Sequence, residues 1–376
     1  MAEYRIGELF CGPGGIAKGL DLAVADLKLQ GVDVDIRHVW ANDYDAATVR
    51  TYKANFPEAD VIHGDIRELD IEGELSDVDG FAFGFPCNDF SVVGEQRGID
   101  GTFGPLYEYG AKVLDYYSPK WFFAENVGGL RNSNDGLAFE MILDRLQNAG
   151  GSEYGGYTLY PHLYKFEEYG VPQRRHRIII VGIRNDLDVN FRVPSPEPYA
   201  HVDNTVRTAL SNIPADATHQ ERTRQTPTVV ERLSYIKPGQ NAFTADLPAH
   251  LQLNVQGAKI SQIYRRLQAD KPSYTVTGSG GGGTHVYHYE ENRALTNRER
   301  ARIQTFPDDY IFEGTKEQVR KQIGMAVPVD GARVVFRALF SSLAGVSYPS
   351  VEPNLLGSVP PRRVDDLSVG ADQAAS

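Results

Sequence analysis

Hydrophobic residues fall along the chain in short, nearly continuous runs closed by glycine, aspartate or asparagine, with stretches of helical period between them. Arg5 to Phe10, Ile36 to Ala41, Asp60 to His63, Gly80 to Phe85, Trp121 to Ala124, Tyr157 to Tyr164 and the run ending at Gly182 read as strands. Ile16 to Leu29, Leu106 to Tyr116, Gly136 to Ala149 and Gly331 to Leu343 read as helices, and Thr296-x-x-Glu299 and Thr315-x-x-Gln318 have the form of capping boxes that open two more. The alternation predicts an α/β fold on an open sheet, where ligands and chemistry sit at the carboxyl ends of strands. From about Asp186 to His288 this rhythm lapses into an irregular segment rich in Pro, Thr, Gln and Arg, and beyond Pro349 the chain is rich in Pro, Asp and Ala. The expected division is therefore 1–185, 186–288 as a separate smaller domain, 289–349 returning to the first, and 350–376 as a disordered tail. The first strand begins almost at residue 1, so no N-terminal regulatory domain is expected.

The strand ends carry the candidate chemistry. G-F-P-C-N-D-F-S (Gly84 to Ser91) turns at Pro86 and presents Cys87 at the end of the fourth strand, a position that suits a thiolate nucleophile. Cys11 is the only other cysteine, so neither a disulfide framework nor a multi-thiolate zinc site is expected. The first strand runs into C-G-P-G-G (Cys11 to Gly15) and then a helix, an arrangement that lets backbone approach a ligand, although a tight structural turn explains it about as well. Strand two ends in Asn42-Asp43, suited to ribose hydroxyls, and strand three in Gly64-Asp65-Ile66, suited to an adenine amino group and ring. Strand five ends in Glu125, a carboxyl able to face the thiol and act as an acid near an amidine-like edge. In V-P-Q-R-R-H-R, the alternation of Gln173, Arg175 and Arg177 directs three long polar side chains to one side. Val92 to Pro105 lacks periodicity and reads as a lid.

Composition adjusts this picture in two ways. No run approaches the roughly 20 apolar residues of a membrane helix and no signal segment opens the chain, so a cytoplasmic protein without a membrane partner is expected. The net charge of −12 argues at first against nucleic acid. From His162 to Met325, however, 22 Lys+Arg face 18 Asp+Glu, a balance of +4 that leaves −16 on the remainder. Such asymmetry can leave a positive cleft on an acidic protein.

Taken together, E-L-F-C-G-P-G-G, N-D-Y-D, G-D-I, F-P-C-N, E-N-V, Q-R-R-H-R, R-A-L-T-N-R-E-R-A-R-I-Q-T-F-P (Arg293 to Pro307) and G-M-A-V-P (Gly324 to Pro328) resemble, in order and through most of the chain, the DNA cytosine-5 methyltransferases of bacterial restriction-modification systems. The resemblance implies a Rossmann-like S-adenosylmethionine-dependent catalytic domain with a smaller, irregular target-recognition domain. It implies methyl transfer from S-adenosyl-L-methionine, leaving S-adenosyl-L-homocysteine, to carbon 5 of a cytosine flipped out of a specific duplex sequence. Cys87 would attack carbon 6, Glu125 would bond ring N3 and the exocyclic amine, and Arg175, supported by Arg177 and Gln173, would hold the base carbonyl and the loop carrying the thiol.

By the same resemblance Phe10, Gly12, Gly14 and Gly15 shape the cofactor pocket, Asp43 and Tyr44 take the ribose, Asp65 and Ile66 the adenine, and Pro86 and Leu106 line the walls, with no metal. Met325 stands where the family usually has Asn, so a changed cofactor contact is expected there. Ser91, Thr275, Gly280, Gly281, Arg265 and Arg266 are the candidate DNA contacts; a solvated pair explains the two arginines about as well, and a flexible linker is the plain alternative for the glycines. The implied partner is duplex DNA, with the enzyme either the partner of a separately acting cognate restriction endonuclease or a solitary methyltransferase, and it would associate with the nucleoid when bound to DNA. Two other readings differ in substrate or class. One is methylation of structured RNA, for which the corresponding branch carries a C-F-T tripeptide absent here; the other is a silent binding protein, expected to lack the thiol or the carboxyl.

Overall fold

The computed structural model describes residues 2–85, 106–130, 136–253, 261–278 and 280–355. They form two compact units, the first comprising Met1–Lys165, His176–Pro198 and Ala332–Ser376, the second Phe166–Arg175 and Tyr199–Gly331.

In the first unit, seven strands make one sheet: β1 (Ala2–Leu9), β2 (Val34–Asp43), β3 (Asp60–His63), β4 (Gly80–Gly84), β5 (Trp121–Val127), β6 (Tyr157–Lys165) and β7 (His176–Arg184), in the order β3-β2-β1-β4-β5-β7-β6. Strands β1 to β5 pair in parallel, and β7 runs antiparallel to both neighbours. The helices are α1 (Gly15–Leu29), α2 (Ala46–Asn55), α3 (Ile71–Glu74), α4 (Leu106–Tyr117) and α5 (Leu137–Gln147). The order reverses between β1 and β4, the kind of switch point at which open α/β sheets bind ligands.

Strand β5 shows how the period of two builds both faces of this sheet. Trp121 and Phe123 meet Phe336 and Phe340, with Phe123 stacked on Phe336 at 4.9 Å, whereas Phe122 and Ala124 join the core beneath α4 and α5. Three glycines sit directly opposite aromatic residues on the neighbouring strand: Gly7 against Trp40, Gly80 against Trp121 and Gly182 against Phe122. A Cβ there would lie 2.2, 2.0 and 2.1 Å from the ring, so each ring lies flat over a glycine and no larger residue fits.

The second unit contains α6 (Val206–Leu210), α7 (Pro227–Tyr235), α8 (Asn297–Ile303), α9 (Lys316–Met325) and the start of α10 (Val329–Leu343), which continues into the first unit. Both expected capping boxes are formed. The Thr296 amide donates to Glu299 at 2.7 Å and the Thr315 amide to Gln318 at 2.8 Å, each with the reciprocal bond present. Two small cores, one around Leu233, Tyr264 and Tyr287 and one around Leu267, Val276 and Ile303, take the place of a sheet.

The boundaries depart from those read off the rhythm of the chain. The second unit takes in 166–175 and extends from 199 to 331, because Ser273 and Tyr274 pair with Gln173 and Arg174 and because α8 and α9 pack with this unit. Near the C-terminus, the expected tail does not begin at 350. Ser350 and Val351 pair with Pro194 and Val193, Asn354 bonds His162, and Leu355 is buried in the core. Residues 356–376 lie outside the described residues. Gly182→Ala is expected to destabilise the protein by ~1–3 kcal/mol through overpacking against Phe122; urea unfolding of the purified variant measures this.

Candidate active site

At the carboxyl end of β1 the chain passes through three left-handed residues, Phe10 (φ 55°), Gly12 (φ 55°) and Gly14 (φ 87°). Only the glycines adopt this region without cost, and a non-glycine such as Phe10 held there marks a constrained turn. The constraint has a source at the end of β2, where Asp43 Oδ2 accepts from the Gly12 amide at 3.0 Å and Oδ1 from the Asp45 amide at 2.9 Å. Asp45 itself caps α2 through the Ala47 and Thr48 amides, so the two aspartates of N-D-Y-D divide the work of shaping the loop and starting a helix. A Cβ on Gly12 would meet nothing within 4 Å, and no side chain caps α1 at Gly14. Gly15 opens α1 and is buried; Tyr44 is exposed.

The Asp65 carboxylate pairs with Arg67, whose guanidinium holds its pKa below the ordinary value. Ile66 and Leu106 are buried in the core cluster. Behind the loop lies an ionisable residue that the pattern of the chain did not single out. Glu8 is buried within β1, accepts from the Tyr52 hydroxyl at 3.1 Å, and has its pKa pushed from 4.5 to about 8, chiefly by burial and further by Asp43. An acid between the buried Ile6 and Leu9, in the apolar end of a parallel strand, was the available signal. Burial, Asp43 and Glu8 also push the Cys11 thiol well above its usual range, so it is an inert packing thiol at neutral pH.

The register of β4 against β5 sets Gly84 opposite Glu125, and a Cβ on Gly84 would lie 3.4 Å from Glu125 Oε2. Glu125 Oε1 is paired with Arg177 Nε at 2.8 Å, both side chains 13% exposed. Burial lowers the pKa of Arg177 while Glu125 opposes the shift. Next along β5, Asn126 donates to the Phe85 carbonyl, tying β5 to the chain as it leaves β4. Pro86, Cys87, Ser91 and the segment from Val92 to Pro105 lie outside the described residues.

Gln173 and Arg175 belong to the second unit and are built into it. Gln173 is bonded to Gln304 and to the Val276 amide, and the Arg175 guanidinium donates to the carbonyls of Val276 (3.1 Å) and Met325 (3.3 Å). The three alternating side chains thus do not form one row, because the strand is interrupted at Arg175 and restarts at His176. Met325 ends α9 with its side chain 58% exposed, and its neighbour Gly324 packs so closely on Thr277 and Gly278 that a Cβ would lie 2.0 Å from the Gly278 nitrogen.

Among the proposed DNA contacts, Thr275 donates its hydroxyl to the Arg174 carbonyl and Arg265 lies over the Tyr274 ring. Gly280 takes φ 122°, and Gly281 faces open space. Arg266 requires a correction. It is buried, and its guanidinium donates to the carbonyls of His288, Leu233, Ile236 and Glu291 and to Asn292, which makes it an internal tie turned away from solvent.

The model of the C-5 cytosine-specific DNA methylase family matches residues 4–341. The chain belongs to that family. It is 56% identical to the type II methyltransferase M.BbvI of Brevibacillus brevis over 356 residues, 93% of this chain and 94% of that one. It is 38% identical to M.NgoFVII of Neisseria gonorrhoeae over 338 residues, 87% of this chain and 84% of that one. Among solved structures, a putative DNA modification methyltransferase from an Escherichia coli prophage shares the fold with a TM-score of 0.67 at 21% identity, covering 90% of this chain and 99% of that one. This methyltransferase therefore has the family's α/β catalytic fold and acts in cytosine-5 methylation of DNA. Among the described residues, no group of three or more His, Cys, Asp or Glu is placed to hold a metal, and no helix is long and apolar enough to cross a membrane.

Two outcomes are expected. Because folded Glu8 keeps its proton up to about pH 8 and unfolded Glu8 loses it near 4.5, wild-type stability should fall as pH rises between these values. Glu8→Gln, neutral throughout, should flatten that slope in urea melts across the window. Arg266→Ala should cost about 3 kcal/mol by stranding buried carbonyls, again measured by urea unfolding.

Proposed function

We propose that this enzyme transfers a methyl group from S-adenosyl-L-methionine to carbon 5 of a cytosine flipped out of a specific duplex DNA sequence, through a covalent bond to Cys87. The observation that carries the reading is the Glu125–Arg177 pair at the end of β5, opposite Gly84 and therefore beside the strand end that leads into F-P-C-N. Membership of the family supplies the context.

Carbon 5 of cytosine is a poor nucleophile. A Cys87 thiolate attacking carbon 6 forms an S–C bond and moves electron density to carbon 5. Glu125, its carboxyl oriented by Arg177, hydrogen-bonds ring N3 and the exocyclic amine and stabilises the charge that develops on attack. Once carbon 5 has formed its bond to the methyl group, loss of the carbon-5 proton and breakage of the S–C6 bond restore the ring and the free thiol. Gln173, which accepts from the Val276 amide, and Arg175, which donates to the carbonyls of Val276 and Met325, act as positioning residues.

S-adenosyl-L-methionine supplies an electrophilic methyl group. The residues present suit it: open space over Gly12, an uncapped start to α1 after Gly14 and Gly15, and Asp43 locked against the loop favour an adenosyl ligand at the switch point. Asp43 with Tyr44 would take the ribose, and Asp65, Ile66, Phe10, Pro86 and Leu106 would frame the adenine and the walls, with Met325 in place of the family's usual Asn. Thr275, Gly280, Gly281, Arg265 and Ser91 remain the proposed DNA contacts. The relatives' naming as type II methyltransferases supports a separate cognate endonuclease as a cellular partner, and a cytoplasmic, DNA-associated location follows from that reading.

Bisulfite sequencing of plasmid DNA from cells expressing the protein should show protected cytosines in one short motif, and none with Cys87→Ser, whose hydroxyl is a far weaker nucleophile at neutral pH. Protection that survives Cys87→Ser would end the covalent reading. Asp43→Ala should weaken cofactor binding while leaving DNA affinity unchanged, as calorimetry and a DNA-binding titration would read.

A further inference from the structure

Within the second unit lies a cavity of about 310 Å³ whose wall includes Arg300, Lys316, Arg320, His285, Asn297 and Gly281. Its distinguishing member is Arg300. The other arginines along the same helix and just before it have charged or carbonyl partners: Arg298 donates to Thr218, Pro307 and Tyr310, Arg302 pairs with Asp308, and Arg293 pairs with Glu299 and Glu291 through its two terminal nitrogens. Arg300 is only 2% exposed, yet among the described residues its guanidinium makes no hydrogen bond or salt bridge, and Glu299, which acts on it at longer range, is itself paired with Arg293. Arg320, on α9 across the cavity, buries an Nε that likewise has no partner.

A buried guanidinium without an acceptor is costly, and a second cation beside it adds to the cost. The strain is visible in the titration of the wall. Burial and then Arg320 push Arg300 down to about 10, and burial with Arg320 and Arg300 lowers Lys316. Lys316 donates to the Glu221 carbonyl at 2.8 Å, and the exposed Glu317 is the one carboxylate on this wall among the described residues. His285 is held neutral, its pKa pushed to about 4 mainly by burial. The glycine-rich loop contributes Gly281, where a Cβ would meet nothing within 4 Å, so a ligand can approach the backbone there.

We propose that this cavity seats one phosphate group, held by the guanidinium groups of Arg300 and Arg320 with Lys316 beside them, and that on the enzyme's substrate this is a backbone phosphate of the duplex. Planar guanidinium groups match phosphate oxygens in geometry and charge. A free inorganic phosphate presents the same oxygens, and the assignment to DNA rests on the methyltransferase reading above.

Two measurements on the full-length protein and on Arg300→Met test it. The first is affinity for a mixed-sequence duplex across about 50–200 mM salt. The variant should bind about five- to tenfold more weakly, with the slope of log K against log salt shallower by about 1 and sequence preference unchanged. The second is thermal melting with added inorganic phosphate, which should raise the Tm of the wild type but not of the variant, while the variant alone melts no lower than the wild type. A phosphate response lost in the variant with an unchanged salt slope would keep the phosphate site but assign it to the free ion. Identical slopes and identical phosphate responses would overturn the proposal. Should the wild type fail to bind duplex at all, the DNA reading of the enzyme falls while the melting series still decides the cavity. Arg320→Ala, at a half-buried position, carries the same series if Arg300→Met does not fold.

Discussion

The site depends on one register: β4 lies beside β5 so that Gly84 faces Glu125. Because side chains alternate along a strand, a slip of one residue would turn Glu125 to the opposite face of the sheet, where Ala124 and Phe122 now pack. The register is fixed from several directions. Gly80 accepts the ring of Trp121 at the start of the pair, Asn126 holds the Phe85 carbonyl at its end, and Arg177 on β7 clamps Glu125 from the other side. Losing one partner of such a buried pair typically costs ~3–5 kcal/mol, so the carboxyl is both held and sensitive to its neighbour.

The two units solve the problem of stability differently. The first is a layered α/β body in which aromatic rings lie over glycines and fill both faces of the sheet. The second has little sheet and small cores, and buried arginines serve as cross-links. Arg266, Arg298 and Arg175 each gather backbone carbonyls from segments distant in sequence, satisfying acceptors that an irregular chain would otherwise bury unpaired. Within that economy Arg300 stands apart as a buried arginine whose guanidinium makes no hydrogen bond or salt bridge among the described residues.

The sheet was largely legible in the sequence because its strands are apolar runs of the right length between strong turn signals; Asp60–His63 has the bounds read from the pattern, and the others shift by one to three residues. The capping boxes were equally legible, since a Thr three residues before Glu or Gln carries its own mechanism. Partners of long polar side chains were not. Nothing local tells that Arg266 turns inward while Arg265 lies over Tyr274, or that the row begun at Gln173 breaks at Arg175, since these outcomes depend on carbonyls a hundred or so residues away in some cases. The domain boundaries were misjudged for the same reason, because α8 and α9 follow the helical pattern of the first unit yet pack with the second.

The most direct test of the account is covalent trapping on a duplex carrying 5-fluorocytosine at the target base, where fluorine on carbon 5 cannot leave as a proton and the thiol adduct persists. With S-adenosyl-L-methionine present, mass spectrometry of the digested wild-type protein should find the base on the Cys87 peptide, and Glu125→Gln should slow its formation by about a hundredfold or more with DNA affinity retained. An adduct on another residue, or one that forms equally fast in Glu125→Gln, would contradict the central role assigned to the carboxyl opposite Gly84.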